Sequence, residues 1–187
     1  MEYKYCKNKN FEDLACGRVI YYKSGMTNFP VRLAQEIYGR CLSYLQDQNN
    51  ICIYDPCCGG GYLLTVLGLL NMGSIKRIIG SDISDEAVDL AWHNLSLLTE
   101  KGLERRIKQL ENYYIQFRKK SHKEAIDSAK RIMSKIRKYD IKPATSVFEG
   151  DILAKETLMD QGFKADIILT DVPYGNLVTW KGVGQDP

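Results

Sequence analysis

The segment Ile51-Cys52-Ile53-Tyr54-Asp55-Pro56-Cys57-Cys58-Gly59-Gly60-Gly61 decides the fold of this 187-residue chain. A short run rich in β-branched residues ends at Asp55, a proline and three glycines enforce a tight loop, and the apolar residues 62–70 supply a helix. The order is strand, ligand-binding loop and helix. Leu64 stands where a dinucleotide fingerprint has its third glycine, which disfavours NAD and FAD, and no Gly-Lys-Ser/Thr follows, which excludes a P-loop.

Three further strand patterns follow, and an acidic residue comes shortly after each one. They are residues 76–81 before Asp82, 145–148 before Asp151, and 165–170 before Asp171. Helical segments separate the strands, and sheets of this kind bind their ligands beyond the carboxyl ends of the strands. We therefore predict an α/β fold with a Rossmann-like parallel sheet and a ligand site at that edge.

The helix after Asp82 has a clear start signal. Ser84 is predicted to be its N-cap, because two acidic residues occupy the first turn. We expect its buried stripe to contain Val88, Ala91, Trp92, Leu95 and Leu98.

An acid at the end of the first strand suits S-adenosylmethionine, which carries a positively charged amino acid end and no phosphates. A pyrophosphate would be repelled by Asp55. Asp82 lies 21 residues after Gly61, where a ribose-binding acid is expected, and Asp151 is placed to accept from an adenine amino group. Each acid alone could also be a helix cap or a turn former. The predicted cofactor-binding residues are Asp55, Pro56, Gly59, Gly61, Asp82, Asp151 and Ile152.

The fourth strand runs into Asp171-Val172-Pro173-Tyr174, which resembles the (Asp/Asn)-Pro-Pro-(Tyr/Phe) signature of methyltransferases that modify exocyclic amino groups. Such an amine is a poor nucleophile, and a carboxylate with a nearby carbonyl can accept its N–H bonds and orient its lone pair. Tyr174 is expected to stack on the base. The predicted catalytic residues are Asp171, Pro173 and Tyr174, although the same pattern also suits a simple strand-ending turn.

The charge of the chain is concentrated in residues 101–142. This stretch contains 14 Lys or Arg and 5 Asp or Glu, a net charge of +9, whereas the rest of the chain carries −6. Clustered cations of this kind favour a polyanionic partner such as nucleic acid, and a solvated helical face is the alternative.

The same stretch is patterned as two helices. Apolar residues at helical spacing include Leu103, Leu110, Ala129 and Ile136. Ser121 and Glu124 form a capping box, which predicts that the second helix starts there and that the basic run before it is an exposed turn. The residues predicted to bind a nucleic acid are Arg118, Lys119, Lys120 and Lys123.

Four runs together carry a family resemblance. They are DLACG (13–17), FPVRLAQEI (29–37), DPCCGGGYLLTVLGLL (55–70) and TDVPYG (170–175). With them the chain resembles the avilamycin-resistance rRNA methyltransferases, the AviRa family. The resemblance implies a class I methyltransferase sheet, S-adenosylmethionine as cofactor, direct methyl transfer to a base nitrogen of a guanine in 23S rRNA or the ribosomal subunit, and antibiotic resistance. It also implies that the nucleic acid bound by the four basic residues of the predicted turn is RNA.

Two other functions stay open. A methyltransferase acting on a protein amide or a small molecule could use the same carboxylate and aromatic residue. A non-catalytic RNA-binding module would bind RNA without binding S-adenosylmethionine.

The organisation predicted from the sequence is an N-terminal helical segment, 1–50, and a methyltransferase domain, 51–187, with a helical hairpin insert at 101–142. Only the first four strands of such a sheet precede Pro187, so we expect self-association through the edge of the fourth strand. The cysteines and two histidines lack zinc-ligand spacing, and no metal is predicted. No signal peptide or apolar stretch of spanning length is evident, which favours a cytoplasmic protein without a membrane partner.

Overall fold

The computed structural model describes residues 2–24, 29–154 and 161–172. Its four strands form one parallel sheet in the order β3-β2-β1-β4. The strands are β1 (Ile51–Asp55), β2 (Ile75–Asp82), β3 (Ala144–Glu149) and β4 (Ile167–Ile168), and the helices are α1 (Val31–Leu42), α2 (Tyr62–Leu70), α3 (Asp85–Ser96), α4 (Glu100–Phe117) and α5 (Lys120–Ile136). The predicted α/β fold is confirmed.

Strand β1 lies in the middle of the sheet, and all five of its residues are buried. Continuous burial is typical of a parallel strand that is covered on both faces. Ile53 and Ile78 face the core that the helices cover, whereas Tyr54 and Ile79 face a smaller cluster completed by Phe163 and its neighbours. This central position directs the loop after Asp55 to the carboxyl edge of the sheet.

Strand β4 is shorter than the predicted run of residues 165–170. The Asp166 carboxylate accepts the Cys52 N–H at 2.7 Å, while Leu169 N–H donates to the Tyr54 carbonyl at 3.0 Å. A side chain therefore takes one of the hydrogen bonds that a backbone carbonyl makes in a regular ladder. Asp171 follows three residues after the carboxyl end of the strand.

Helix α3 begins as predicted, because the Ser84 side chain accepts the Ala87 N–H at 3.4 Å. The expectation that Trp92 is buried is wrong, since 51% of its surface is exposed. The buried face of α3 contains Ala91 and Leu95, as predicted, together with Ala87 and Asn94. Asn94 turns inward because it binds backbone groups outside the helix, and Trp92 lies outward beside Arg105, whose guanidinium is 5.7 Å from the indole centroid.

The basic segment forms a helical hairpin, and its apolar stripes are buried as expected. The predicted start of the second helix is wrong. Arg118 ends α4 in the left-handed conformation, at φ 51°, and α5 begins at Lys120 with Lys119 as its N-cap. Ser121 is therefore inside the helix, and the exposed turn is shorter than predicted. Among the described helices, none is both long and apolar enough to cross a membrane.

Candidate active site

The glycine loop joins β1 to α2 at the carboxyl edge of the sheet. Gly61 is the N-cap of α2 at φ 70°, and a Cβ there would lie 2.9 Å from Ala91 Cβ. Gly59 has φ 51°, but a Cβ there would meet nothing within 4 Å. Only glycine adopts both positions without strain. Gly61 thus packs the loop onto α3, while Gly59 leaves its backbone open to a ligand.

The Asp82 carboxylate fastens this loop to the end of β2. Its Oδ2 accepts the Gly59 N–H at 2.8 Å, and its Oδ1 accepts the Ser84 N–H at 3.0 Å. Each carboxylate oxygen keeps a further lone pair, so the half-buried group can also accept hydroxyl groups of a ligand. Asp82 can therefore position the loop and a ribose at once.

Asp55 is a buried carboxylate with only 2% of its surface exposed. Burial above all, together with the nearby charges of Asp82 and Asp171, raises the pKa of Asp55 to about 7, although hydrogen bonds from the Thr170 hydroxyl and the Cys57 N–H partly oppose the rise. Within the described residues, no Lys or Arg side chain forms an ion pair with it. A buried anion of this kind is costly unless a cation joins it.

The remaining predicted cofactor residues lie at the same edge. Gly150 N–H donates to the Asp82 carbonyl at 2.9 Å, which brings the loop after β3 against the end of β2. In that loop Asp151 accepts the Leu153 N–H at 2.9 Å, and Ile152 occupies the same turn. The Pro56 carbonyl accepts the Ser81 hydroxyl at 3.2 Å. The structure therefore brings all seven predicted residues into adjacent loops.

The predicted catalytic residues are only partly described. Asp171 is half-exposed and lies close enough to Asp55 to raise the pKa of that carboxyl. Pro173 and Tyr174 lie outside the described residues.

The four basic residues of the hairpin, Arg118, Lys119, Lys120 and Lys123, are all exposed. They occupy the tip of the hairpin formed by α4 and α5. In the described part of the chain, none of them forms an ion pair with Asp55, Asp82 or Asp171.

Three polar side chains that the sequence analysis missed shape the site. The Tyr54 and Ser81 hydroxyls share a hydrogen bond of 2.8 Å beneath the loop. Asn94, 1% exposed, donates to the Gly60 carbonyl at 2.8 Å and accepts the Tyr21 N–H at 2.7 Å. It ties the glycine loop to residues 11–24, which we call the strap. The sequence signal for Asn94 was its polar side chain on the face of the helix that also carries the apolar residues Ala91 and Leu95.

The comparisons with known proteins bear on this site. A family model described as the rRNA methyltransferase AviRa matches residues 1–187. The chain belongs to the AviRa rRNA methyltransferase family. A relative in Streptomyces viridochromogenes, the 23S rRNA (guanine(2535)-N(1))-methyltransferase, is 38% identical over 172 residues, which are 91% of this chain and 69% of the relative.

Two crystal structures of AviRa from Streptomyces viridochromogenes have the same fold. They give TM-scores of 0.85 and 0.86 at 36% identity, covering 90% of this chain and 68% of each AviRa chain. The resemblance drawn from the sequence motifs is thereby confirmed, as are the class I methyltransferase fold and the assignment as a methyltransferase. The carboxyl edge described above is the candidate active site of this AviRa family member.

Proposed function

We propose that this chain methylates N1 of a guanine in 23S rRNA, with S-adenosylmethionine as the methyl donor. The observation that carries the proposal is Asp55, a buried carboxylate without a cationic partner in the described residues, beside a glycine loop with open backbone. Membership of the AviRa family and the printed activity of the Streptomyces relative supply the acceptor.

The residues at the edge fit this donor. Asp55 is placed to pair with a positively charged group, and the carboxylates of Asp82 and Asp171 disfavour a pyrophosphate in the same place. Asp82 and Asp151 bind the ribose hydroxyls and the adenine amino group, and Gly59 allows close approach of the loop backbone. When bound, S-adenosylmethionine supplies an electrophilic methyl group on a positively charged sulfur.

Asp171 acts on the acceptor base. The Watson–Crick edge of guanine presents the N1–H and the exocyclic N2–H side by side, and a carboxylate can accept both. Asp171 first holds the guanine by these two bonds and then takes the N1 proton. The N1–C bond forms as the C–S bond breaks, so the products are N1-methylguanine, S-adenosylhomocysteine and a proton released from Asp171 to solvent. No covalent enzyme intermediate is needed.

The remaining contacts are part of the same proposal. Tyr174 stacks on the base beside Pro173, and the hairpin residues Arg118, Lys119, Lys120 and Lys123 hold phosphates without reading sequence. A ribosomal substrate implies a cytoplasmic enzyme, and resistance to a ribosome-directed antibiotic follows if the methylated guanine lies in a drug site.

The test is transfer of labelled methyl from S-adenosylmethionine to unmodified 23S rRNA, followed by primer extension. A methyl group on N1 blocks base pairing, so reverse transcription stops beside the modified guanine. We expect the native chain to give one stop, Asp171→Asn to reduce the transfer rate at least about 100-fold, and the exposed-loop variant Asp47→Asn to behave as the native protein. Calorimetry should show that Asp171→Asn still binds S-adenosylmethionine, so that the loss lies in the transfer step.

Three outcomes would contradict the proposal. Methyl transfer only to protein or a small molecule would favour the first alternative. RNA binding without S-adenosylmethionine binding would favour the non-catalytic module. Undiminished transfer by Asp171→Asn would remove that residue from the reaction.

A further inference from the structure

A cleft of about 490 Å³ lies between the strap and the helical hairpin. Its size is within the range of roughly 300–1,000 Å³ that is typical of small-molecule sites. Its described walls come from the strap, from α4 and from the first turns of α5. The cleft is therefore formed by parts of the chain other than the loops that hold Asp55 and Asp82.

Aromatic rings form one wall of this cleft. Tyr113 and His122 line the cleft with 5.8 Å between their ring centroids, and the Phe117 ring lies 5.9 Å from the His122 ring outside the described lining. Tyr113 keeps 37% of its surface exposed, so part of this aromatic group is open to a ligand. Such rings bind flat heteroaromatic groups by stacking.

One polar atom in this wall lacks a protein partner. His122 Nδ1 is buried, and no hydrogen-bond partner is found for it among the described residues. Buried polar atoms in native proteins are nearly always hydrogen-bonded to protein or to another molecule. Because this atom is closed to solvent in the structure, the His122 ring contributes a stacking surface to the cleft, and its Nδ1 is the one atom of the described wall that local opening would expose to a hydrogen-bonding ligand.

The charges inside the cleft nearly cancel. Arg18 pairs with Glu12 at 2.8 Å and with Glu124 at 3.2 Å, and its side chain is 16% exposed. The second cation of the described lining, Arg106, donates to the Val19 carbonyl and to Gln109. The two cations and two carboxylates therefore balance and leave no excess charge for a phosphate, whereas a neutral ring with donor and acceptor groups is not repelled.

The outside of the same hairpin has the opposite character. Its tip carries four exposed cations, Arg118, Lys119, Lys120 and Lys123, close in sequence to His122. A cationic rim beside a neutral aromatic cleft matches a nucleotide, which combines an anionic phosphate with a flat neutral base.

The strap connects the cleft with the glycine loop. The Tyr62 hydroxyl, one residue beyond Gly61, donates to the Leu14 carbonyl at 2.8 Å. On the hairpin side, Arg106 Nε donates to the Val19 carbonyl at 2.8 Å. The segment that lines the cleft is therefore the same one that packs against the helix after the glycine loop.

We propose that the cleft binds one nucleobase of the rRNA substrate, a base other than the one that is methylated, while the hairpin tip holds the adjoining phosphates. This inference rests on the proposed function. The methylated guanine has to reach Asp171 beyond β4, whereas no residue from a strand end lines the described cleft. The second base contact gives the enzyme a way to recognise rRNA beyond its target guanine.

The test compares Tyr113→Leu, His122→Leu and their double variant with the native chain. Leucine keeps the apolar volume and removes the stacking. We expect the double variant to raise both the Kd and the KM for a 23S rRNA fragment about tenfold or more, with kcat at saturating RNA unchanged. The slope of log Kd against log salt should also stay unchanged, because no phosphate contact is lost. Tyr113→Phe should restore native affinity, and Tyr44→Leu, at a site 89% exposed outside the cleft, is the control.

A fluorescent base gives a second measurement on the unaltered protein. 2-Aminopurine is placed at successive positions of the rRNA fragment, and quenching at one position other than the target guanine is expected on binding. Native affinity in the double variant, or no quenching at any second position, would overturn the inference. If the native chain methylates 23S rRNA but the double variant binds normally or no second position is quenched, only the inference about the cleft is wrong. If the native chain transfers no methyl to RNA, the proposed function fails as well.

Discussion

The carboxyl edge of the sheet and the tip of the hairpin are built in opposite ways. At the edge, carboxylates converge and the central one, Asp55, is 2% exposed. At the tip, four cations point into solvent. The edge holds its charge in a rigid, partly dry setting, whereas the charge at the tip is hydrated.

Because of this difference, we expect the carboxyl edge and the hairpin tip to bind different kinds of partner. Charges removed from water interact strongly and select a partner of one shape and sign, whereas exposed charges are screened by salt and attract any polyanion. The edge therefore suits selective binding of a small cation, and the tip suits unselective binding of a nucleic acid backbone. Separate variants should remove one property and leave the other.

Of the changes at the carboxyl edge, Asp55→Asn should have the largest effect, and that effect is on S-adenosylmethionine affinity. We expect it to weaken S-adenosylmethionine binding about 100-fold or more, because it removes a charge interaction worth about 4 kcal/mol at an effective dielectric constant near 20. Calorimetry measures the loss, and rRNA affinity should not change. Asp47→Asn, in an exposed loop, is the control. Equal losses in the two variants would contradict a specific role for Asp55.

The native protein offers a pH test of the same group. Because the pKa of Asp55 lies near 7 without a ligand, its carboxylate is mostly ionised only above that pH. We expect S-adenosylmethionine affinity to rise between pH 6 and pH 8 and binding to release protons. Affinity that stays level over this range would contradict the assignment.

Gly61→Ala should have the next largest effect, on stability. The left-handed backbone costs about 1–2 kcal/mol for alanine, and the new Cβ would lie 2.9 Å from Ala91 Cβ, which adds about 1–3 kcal/mol of overpacking. Gly59→Ala has only the backbone cost, because its Cβ meets nothing within 4 Å, but it should still weaken binding of S-adenosylmethionine. Urea unfolding measures the loss of stability in each variant, and calorimetry measures the loss of S-adenosylmethionine affinity. Equal stability losses would contradict the different roles of these glycines.

Replacing Arg118, Lys119 and Lys120 together by alanine tests the tip. Three lost phosphate contacts should reduce the slope of log Kd against log salt by about 2 units, while S-adenosylmethionine affinity stays unchanged. The control removes three other exposed charges, Lys4, Lys7 and Lys9. An unchanged slope in the tip variant, or an equal change in the control, would rule out a phosphate role for the turn.

The edge could be predicted from the sequence because its signals are local. A β-branched run, an acid, a proline and glycines stand next to one another in residues 51–61, and each further strand pattern is followed by its own acid. Parallel pairing then brings those ends together without further information. This is why the common position of Asp55, Asp82 and Asp151 at one edge could be predicted, while their roles toward a ligand stay a prediction.

The two errors have different causes, a contact with distant segments in one and a local backbone conformation in the other. Trp92 fits an apolar helical stripe, but Asn94 takes the inward position because it binds Tyr21 and Gly60 from other parts of the chain. Ser121 fits a capping box, but the left-handed Arg118 ends α4 so that α5 starts earlier. Helical spacing alone shows neither the backbone groups that Asn94 binds nor the left-handed conformation of Arg118.

The smallest expected effect concerns stability without a ligand, and it follows from the same buried carboxylate. The folded-state pKa of Asp55 is about 7, above the usual value near 4, so its stabilising contribution is present at pH 4 and is lost as the pH rises through 7. Asparagine carries no charge at any pH. Asp55→Asn should therefore match the native protein near pH 4 and exceed its free energy of unfolding by about 1–3 kcal/mol at pH 8, as measured by urea unfolding.

Glu36→Gln is the matched control with the opposite sign. Burial raises the pKa of Glu36, but the backbone N–H groups of residues 4–6 and the Arg40 side chain outweigh it and leave the pKa below its usual value. The contribution of the Glu36 carboxylate to folding stability is present at neutral pH and is lost on acidification. Glu36→Gln should therefore be less stable than the native protein at pH 7 and approach its stability in acid. If Asp55→Asn were more stable by the same amount at pH 4 and pH 8, its gain would come from packing. In that case the buried Asp55 carboxylate would not destabilise the free protein, and a cationic ligand would have no unfavourable electrostatic energy to remove.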